Sequence, residues 1–229
     1  MSVKTFYETW GADRVTLAVQ LHKIGAVKFG WFRLKLHETE PDAPLSPFYF
    51  DLRLVRSDPK GSLRTITTLM ESMLTDCRII CDCLADIPYG GSPIATALSI
   101  ATGIPQITPR KEVKDYGVRA TVLGNFRRHN RVLVVDDLVT RAHSKEEAIK
   151  TLEAAEFPGD PPTPADLTVR DVLVVVDREQ GAQEQLAANG RRLHAIFKAR
   201  ELFRILLGCD LITRNEYDES LAYLDQEGK

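Results

Sequence analysis

The chain has 229 residues with a formal net charge of -2, and 44% of its residues are hydrophobic and 27% are charged. This length and balance predict one large globular domain with a sizeable core. The near-neutral charge gives no support to a polyanionic partner, so no nucleic acid is expected. The amino terminus has no apolar signal core, and no run approaches the ~18 apolar residues of a membrane helix. We therefore expect a cytoplasmic protein that does not bind membranes.

The first sixty residues predict helices followed by two strands. Apolar residues at helical spacing indicate one or two helices between residues 3 and 28, ending near Gly25. Residues 29–36 and 48–55 alternate in the manner of strands and flank a loop rich in prolines and acids. The two strands together predict a hairpin or a small flap.

From residue 61 to residue 197, predicted strands alternate with predicted helices. The predicted helices are 61–74, 91–103, 144–155 and 181–190, and the predicted strands are 78–88, 104–110, 131–137, 171–177 and 192–197. Gly103 suits the end of the second helix, and Ser144 and Glu147 have the spacing of a capping box. Two more helices are predicted after residue 197. This alternation predicts an α/β domain, with a mostly parallel sheet flanked by helices.

The chain has four cysteines, of which three fall within seven positions: Cys77, Cys81, Cys83 and Cys209. Cys81 and Cys83 lie two residues apart, which would place them on one face of a strand. No histidine is close to them in sequence, so zinc and a disulfide are the less favoured interpretations. The stretch predicts buried free thiols in a reducing compartment.

Four polar or glycine-rich segments follow the predicted strands. They are IPYGGSP, PRKEVKDYG, DDLVTRAHS and DREQG. In an open parallel sheet, ligands bind at the carboxyl ends of the strands, so these four segments face one crevice. Their convergence predicts a small-molecule site there, and it weighs more than any single motif.

The segment DDLVTRAHS combines two adjacent acids with a turn into a helix. The carboxylates of Asp136 and Asp137 suit a ribose 2′,3′-diol, directly or through a metal ion, although solvated acids at a strand end are equally common. The helix start after Thr140 offers backbone N–H groups and a dipole that favour a phosphate. An ordinary capped helix start is the alternative for this turn.

Two other segments add features suited to an anion. Arg110, Lys111 and Lys114 form either a cationic clamp or, more commonly, a solvated run of charge. Gly117 would let this loop open and close. The glycines in residues 89–91 would let the backbone approach a ligand closely, unless they form a plain turn before a helix. Taken together, the segments predict a phosphorylated ribose as ligand.

Several motifs resemble those of one enzyme family. VLVVDDLVT with its serine-bearing turn resembles the phosphoribosyl-diphosphate (PRPP) signature of type I phosphoribosyltransferases. RKEVKDYG resembles the catalytic loop of orotate phosphoribosyltransferase, IPYGGSPIATALSIATGIP its pyrophosphate loop, and FGWFRLKL with SPFYFDLR its orotate flap. DREQGAQEQLAANGRRLHAIF is similar to the orotate-transferring half of bifunctional UMP synthases. The resemblance covers about residues 25–205.

The resemblance implies a fold and a reaction. It implies a type I phosphoribosyltransferase fold with an N-terminal flap over residues 1–60, a core over 61–205 and a helical tail over 206–229, in one compact domain. The implied reaction joins PRPP and orotate to give orotidine 5′-monophosphate and pyrophosphate, in pyrimidine biosynthesis. The implied cofactor is Mg²⁺, bound mainly through PRPP and not by protein side chains alone. The implied assembly is a homodimer in which the 110–117 loop reaches the neighbouring subunit.

The resemblance also assigns roles by position. The implied catalytic residues are Lys114, Asp136 and Asp137. The implied orotate-binding residues are Tyr49, Phe50, Thr140 and Arg178. The implied PRPP- and phosphate-binding residues are Lys35, Tyr89, Gly90, Arg110, Lys111, Lys114, Tyr116, Asp136, Asp137, Leu138, Val139, Thr140, Arg141, Ala142, His143 and Ser144.

The chain departs from the family pattern in three places. The flap reads LKLH where the family has L-K-S-G, and the proline-rich stretch 157–166 resembles an insertion, a linker or a disordered tip. The phosphate turn reads TRAHS, with Ala142 at the family's glycine position. The altered turn keeps open the alternative of a catalytically weakened PRPP-binding regulatory paralogue. A phosphoribosyltransferase for another base is a second alternative, against which Lys35, Phe50 and Arg178 argue.

Overall fold

The computed structural model describes residues 3–110, 121–157, 159 and 161–227. In chain order its helices are α1 Val3–Trp10, α2 Ala12–Lys23, α3 Ser62–Asp76, α4 Gly91–Thr102, α5 His143–Glu153, α6 Ala182–Ala188, α7 Ala199–Gly208 and α8 Arg214–Glu227. Its strands are β1 Val27–Phe32, β2 Ser46–Phe50, β3 Cys83–Asp86, β4 Gln106–Pro109, β5 Val122–Leu123, β6 Arg131–Val139, β7 Glu156–Phe157, β8 Thr163–Pro164, β9 Thr168–Asp177 and β10 Arg192–Lys198. Short 3₁₀ helices span Lys35–Glu38 and Leu52–Ser57.

Six strands of the described chain form one sheet in the order β10-β9-β6-β3-β4-β5. β5 runs antiparallel to β4, and the other neighbouring strands are parallel. Leu133 and Val135 of β6 enter one buried apolar cluster, while Val132 and Val134 enter the other. Because successive strand residues point to opposite faces, these clusters lie on the two faces of the sheet. The predicted mostly parallel sheet flanked by helices is confirmed.

The predicted N-terminal hairpin is present and packs on the C-terminal helices. β1 and β2 are antiparallel, with Val27 opposite Phe50. The ring of Phe48 lies 4.8 Å from that of Phe203 in α7 and 5.8 Å from that of Tyr223 in α8. Interlocking aromatic rings at these distances stabilise the packing beyond the apolar area they bury. The hairpin is therefore anchored at the edge of the core.

The second predicted strand, 48–55, was wrong beyond Phe50. The chain turns there into the 3₁₀ helix Leu52–Ser57. Leu52 and Val55 are both buried, and residues three apart lie on the same side of a 3₁₀ helix. In the sequence, the three-residue spacing of Leu52 and Val55 lies within a stretch that also alternates like a strand. The change from strand to 3₁₀ helix was therefore not visible.

The strand predicted over 78–88 also differs from its prediction. It is limited to Cys83–Asp86, and Arg78 has a left-handed φ of 52°, which interrupts an extended run. Cys81 therefore lies outside the strand. The four cysteines are free, Cys83 is buried, and burial raises the pKa of its thiol to about 12. Such a thiol stays protonated and unreactive.

The described residues of the proline-rich stretch are folded onto the domain. β7 and β8 form a short antiparallel pair, and the ring of Phe157 lies 5.2 Å from that of Phe126. Ala165 is fully buried in the core cluster of this face. Apolar contacts thus hold these residues, and they are not a free linker. Among the described helices, none is long and apolar enough to cross a lipid bilayer.

Candidate active site

The polar segments that follow β3, β4 and β6 lie around one cavity. These strands are parallel neighbours, so their carboxyl ends share one edge of the sheet. A cavity of about 710 Å³ opens at this edge, and its lining includes Gly90, Arg110, Asp136, Asp137 and Ser144. The structure therefore brings together predicted residues from three separate segments.

The lining also includes residues that were not predicted. Arg53 reaches the cavity from the 3₁₀ helix after β2, and Glu147, Lys150 and Thr151 line it from α5. A larger cavity of about 1100 Å³ lies elsewhere, among α1, α2 and α7, and none of the predicted site residues lines it. We place the candidate site in the smaller cavity because the polar groups converge there.

Asp136 is fixed within the fold. It is 4% exposed, and its Oδ2 lies 2.6 Å from the Nζ of Lys145, itself a buried residue. Its Oδ1 accepts a hydrogen bond of 2.9 Å from the N–H of Asp137. Lys145 was missed in the sequence because a lysine in the first turn of a charged helix is typical of a solvated face.

Asp137 is half-buried and lies against the glycine turn. A Cβ at Gly90 would overlap the Asp137 carboxylate, so any other residue there would require the turn or the carboxylate to shift. Burial and then the nearby Asp136 raise the pKa of Asp137, the positive charge of Lys145 lowers it, and the net result is a pKa of about 7. The cavity thus holds a carboxyl group that titrates near neutral pH.

The glycine turn after β3 is held close to β6. A Cβ at Gly91 would lie 2.5 Å from the carbonyl oxygen of Val135, too close for any side chain. The Pro88–Tyr89 peptide bond is cis, and Arg56 donates a hydrogen bond of 2.8 Å to the Tyr89 carbonyl. The Tyr89 side chain is 82% exposed. Its backbone is therefore fixed while its ring faces solvent.

A buried acid anchors the base of this turn. Asp86, the last residue of β3, accepts hydrogen bonds from Ser92 at 2.5 Å, from Gln106 at 3.0 Å and from Thr108. These donors belong to α4 and β4. Asp86 therefore connects both strands and the following helix below the cavity. It was not among the predicted site residues, although it lies within the predicted strand 78–88 and close to the glycines.

The turn between β6 and α5 adopts its shape without a glycine. Ala142 precedes the helix with a φ of -75°, which any residue adopts. Its N–H donates to the side-chain oxygen of Gln185 in α6 at 2.8 Å. The alanine at the family's glycine position therefore introduces no backbone strain. Gln185 was missed because the contact joins residues far apart in sequence.

The predicted capping box was wrong. The helix α5 begins at His143, with Ala142 as its N-cap residue, and no side chain caps it. Ser144 is consequently already inside the helix, where its hydroxyl cannot take the cap position. Ser144 and Glu147 instead line the cavity. Arg141 and His143 are exposed at the same helix start, whereas Val139 is buried.

The predicted orotate-side residues lie near the hairpin. Arg178 follows β9, is buried, and places its guanidinium carbon 5.0 Å from the centre of the Phe48 ring. Phe50 is 7% exposed and stacks on Phe203. Tyr49 is partly exposed and packs beside Phe32. Phe50 is thus a core residue here, and the orotate roles of these residues stay predictions.

Part of the predicted site lies outside the described residues. This applies to Lys111, Lys114 and Tyr116, and to the side chain of Lys35. Arg110 is described, and its N–H donates to the Thr121 carbonyl at 2.9 Å. Leu138 contributes its carbonyl oxygen to Lys145. Thr140 lies in the short segment between the end of β6 and the start of α5.

The arrangement defines a class of protein. A parallel sheet whose central strand ends in two acids, followed by a turn into a helix and faced by a glycine turn, is the architecture of a type I phosphoribosyltransferase. No protein-family model matches the chain. Individual proteins and structures do match it over most of its length.

The chain is 37% identical to an orotate phosphoribosyltransferase of Cenarchaeum symbiosum over 84% of its own length and 88% of that protein. It is 35% identical to the bifunctional enzyme PyrF/PyrE of a Nostoc species over 83% of its length, and spans only 36% of that relative. The crystal structure of orotate phosphoribosyltransferase from Aeropyrum pernix matches with a TM-score of 0.68 and 28% identity, over 86% of this chain and 99% of that one. The chain belongs to the orotate phosphoribosyltransferase family.

Proposed function

We propose that this chain transfers the phosphoribosyl group of PRPP to orotate, giving orotidine 5′-monophosphate and pyrophosphate. The observation that carries the proposal is the Asp137 carboxylate, held in a cavity between the glycine turn and the start of α5. In this reading the ribose lies at Asp137, and the 5′-phosphate lies at the N-terminus of α5. The diphosphate lies beside Gly90 and Arg110.

The residues supply charge and position for this reaction. The bond between C1 of the ribose and the diphosphate oxygen breaks, positive charge develops on the sugar, and N1 of orotate attacks C1. A carboxylate at Asp137 stabilises the developing positive charge, because it is already in place in a partly desolvated site. Arg110, and Lys114 by resemblance, balance the negative charge of the departing diphosphate. The predicted 110–117 loop excludes water that would hydrolyse PRPP.

The proposal includes Mg²⁺ as cofactor, a homodimer and a cytoplasmic location. Mg²⁺ keeps several waters and binds through substrate phosphates with few protein ligands, and a cavity of about 710 Å³ has room for PRPP with its cation. When bound, the cation adds positive charge at the diphosphate. The orotate specificity is supported by Tyr49, which lies in the hairpin, and by Arg178, which packs on the hairpin residue Phe48.

A base-selectivity assay tests the proposal. The purified chain is incubated with PRPP and Mg²⁺ and with orotate, uracil, adenine or hypoxanthine in turn, and nucleotide products are separated by chromatography. We expect orotidine 5′-monophosphate from orotate and no nucleotide from the other bases, with the Asp137→Asn variant as control. A product from another base would assign a different specificity. Binding of PRPP without any turnover would support a regulatory paralogue.

A further inference from the structure

Lys145 is a buried lysine that joins the acid strand to the helix after it. The Lys145 and Asp136 side chains are each 6% exposed, and the Nζ–Oδ2 distance is 2.6 Å. Nζ also donates a hydrogen bond of 2.6 Å to the carbonyl oxygen of Leu138. Two interactions from one ammonium group therefore connect the first turn of α5 to the end of β6.

A pair of apolar residues in place of Lys145 and Asp136 would serve stability at least as well as the ion pair. Lys145, Ile149 and Leu152 are all buried, and their spacing of four and three residues places them on one face of α5. Two buried charges lose their hydration, and their attraction often fails to compensate, so that an apolar replacement of the whole pair is neutral or stabilising. The ion pair is therefore better explained by what it does to Asp136 than by its contribution to folding.

The contacts of Asp136 show what the ion pair does. One carboxylate oxygen faces Lys145, and the other accepts the N–H of Asp137. Both oxygens are thereby held by the protein, while the Asp137 carboxylate lies against Gly90 in the cavity. The ammonium group of Lys145 makes the net charge that this acid pair presents to a phosphate-bearing substrate one unit less negative.

We propose that Lys145 is a positioning residue for phosphoribosyl transfer, which fixes Asp136 behind Asp137 and cancels one of the two negative charges facing PRPP. This inference rests on the proposed function. Without Lys145, the Asp136 carboxylate can keep a negative charge that repels PRPP. Alternatively, it takes up a proton and donates a hydrogen bond to the Asp137 carboxylate. Both consequences weaken the use of PRPP. Neither affects orotate, whose predicted partner Arg178 follows a different strand.

Steady-state kinetics of Lys145→Met test the proposal. We expect kcat/KM for PRPP to fall at least about tenfold while KM for orotate stays within about twofold. Ile149→Ala is the matched control, because it removes a buried side chain from the same face of α5 and lowers Tm without touching either acid. Its PRPP kinetics should stay within about twofold of wild type. Equal effects of the two variants would overturn the proposal.

A second pair of variants separates action through Asp136 from other roles, even where Lys145→Met alone folds poorly. Asp136→Asn leaves no buried carboxylate for Lys145 to neutralise, so adding Lys145→Met should lower kcat/KM for PRPP by less than about threefold further. We also expect the double variant to have a higher Tm than Lys145→Met. A further tenfold loss in the Asp136→Asn background would show that Lys145 acts elsewhere and would overturn the proposal.

Calorimetry with PRPP and Mg²⁺ keeps this inference distinct from the proposed function. If the wild-type chain forms no nucleotide from orotate, that result contradicts the proposed function but not the role of Lys145. In that case the Kd for PRPP still tests Lys145. A Kd at least about tenfold weaker for Lys145→Met than for wild type supports its role, and an equal Kd overturns it.

Discussion

Asp136 and Asp137 are neighbours on β6, but their carboxylates meet different surroundings. Successive strand residues point to opposite faces, so one acid turns toward α5 and the other toward the glycine turn. Asp136 meets a buried ammonium group at 2.6 Å, whereas Asp137 meets the backbone at Gly90. The first acid is consequently held in place through both of its carboxylate oxygens. Both acids line the cavity, and the second carries the raised pKa.

Asp137→Asn should make the protein more stable and less active. The pKa of Asp137 is raised from 3.8 to about 7 on folding, so the folded state favours the protonated acid. This costs stability progressively as pH rises from about 4 to 7, and the cost is complete above pH 7. We expect Asp137→Asn to gain at least about 1 kcal/mol at pH 8 and less at pH 5, while kcat falls about 100-fold.

Denaturant unfolding at both pH values and turnover at pH 8 measure these effects. The denaturant concentration at the unfolding midpoint should differ between wild type and variant. The slope of the unfolding free energy against denaturant concentration should be equal, which shows that stability and not compactness has changed. An equal gain at pH 5 and pH 8 would show that titration of Asp137 is not its source. Undiminished turnover would remove Asp137 from the mechanism.

Gly90→Ala should harm the site through Asp137. The added Cβ would overlap the Asp137 carboxylate, so the turn or the acid must move. We expect a loss of about 1–3 kcal/mol in stability and at least about tenfold in kcat/KM for PRPP. In an Asp137→Ala background the overlap is absent, and Gly90→Ala should then cost less than about half as much stability. The unfolding free energies of the four proteins decide this, and additive losses would contradict it.

At the scale of elements, the turn between β6 and α5 depends on a neighbouring helix. Gln185 in α6 accepts the N–H of Ala142 and so fixes the backbone just before α5. Gln185→Ala should raise KM for PRPP about fivefold with little change in KM for orotate, because the predicted phosphate turn loses an anchor. Gln183→Ala is the control, since this exposed glutamine belongs to the same helix. Equal KM values in both variants would exclude this role.

The sequence predicted the elements that local pattern determines. Alternating strands and helices, the acid pair at a strand end and Gly103 at the end of α4 all follow from periodicity and turn chemistry. The contacts of Lys145 and Gln185 could not be predicted from local pattern, because each joins residues of separate elements that meet only when the chain packs. The capping box failed because the N-cap residue is Ala142, two positions before Ser144.

At the scale of the whole molecule, the cavity is assembled from distant parts of the chain. Arg53 lies before α3, Gly90 follows β3, and Asp137 lies near the end of β6, so the cavity is built only when these distant segments pack together. Except for Arg110, the loop that the resemblance assigns to catalysis lies outside the described residues, so the subunit whose site it serves stays a prediction. The resemblance implies that it acts on the neighbouring subunit of a homodimer.

Mixing two inactive variants tests whether that loop acts between subunits. Lys114→Ala should lower turnover far more than it harms folding, because Lys114 is predicted to neutralise the departing diphosphate. If Lys114 serves the neighbouring site, a dimer of one Lys114→Ala chain and one Asp137→Asn chain has one site with both residues intact. Random exchange of subunits then restores about a quarter of wild-type activity. Turnover is measured before and after the variants are mixed, unfolded and refolded together, and each variant refolded alone is the control. If the loop serves its own chain, each site lacks one residue, and mixing restores nothing.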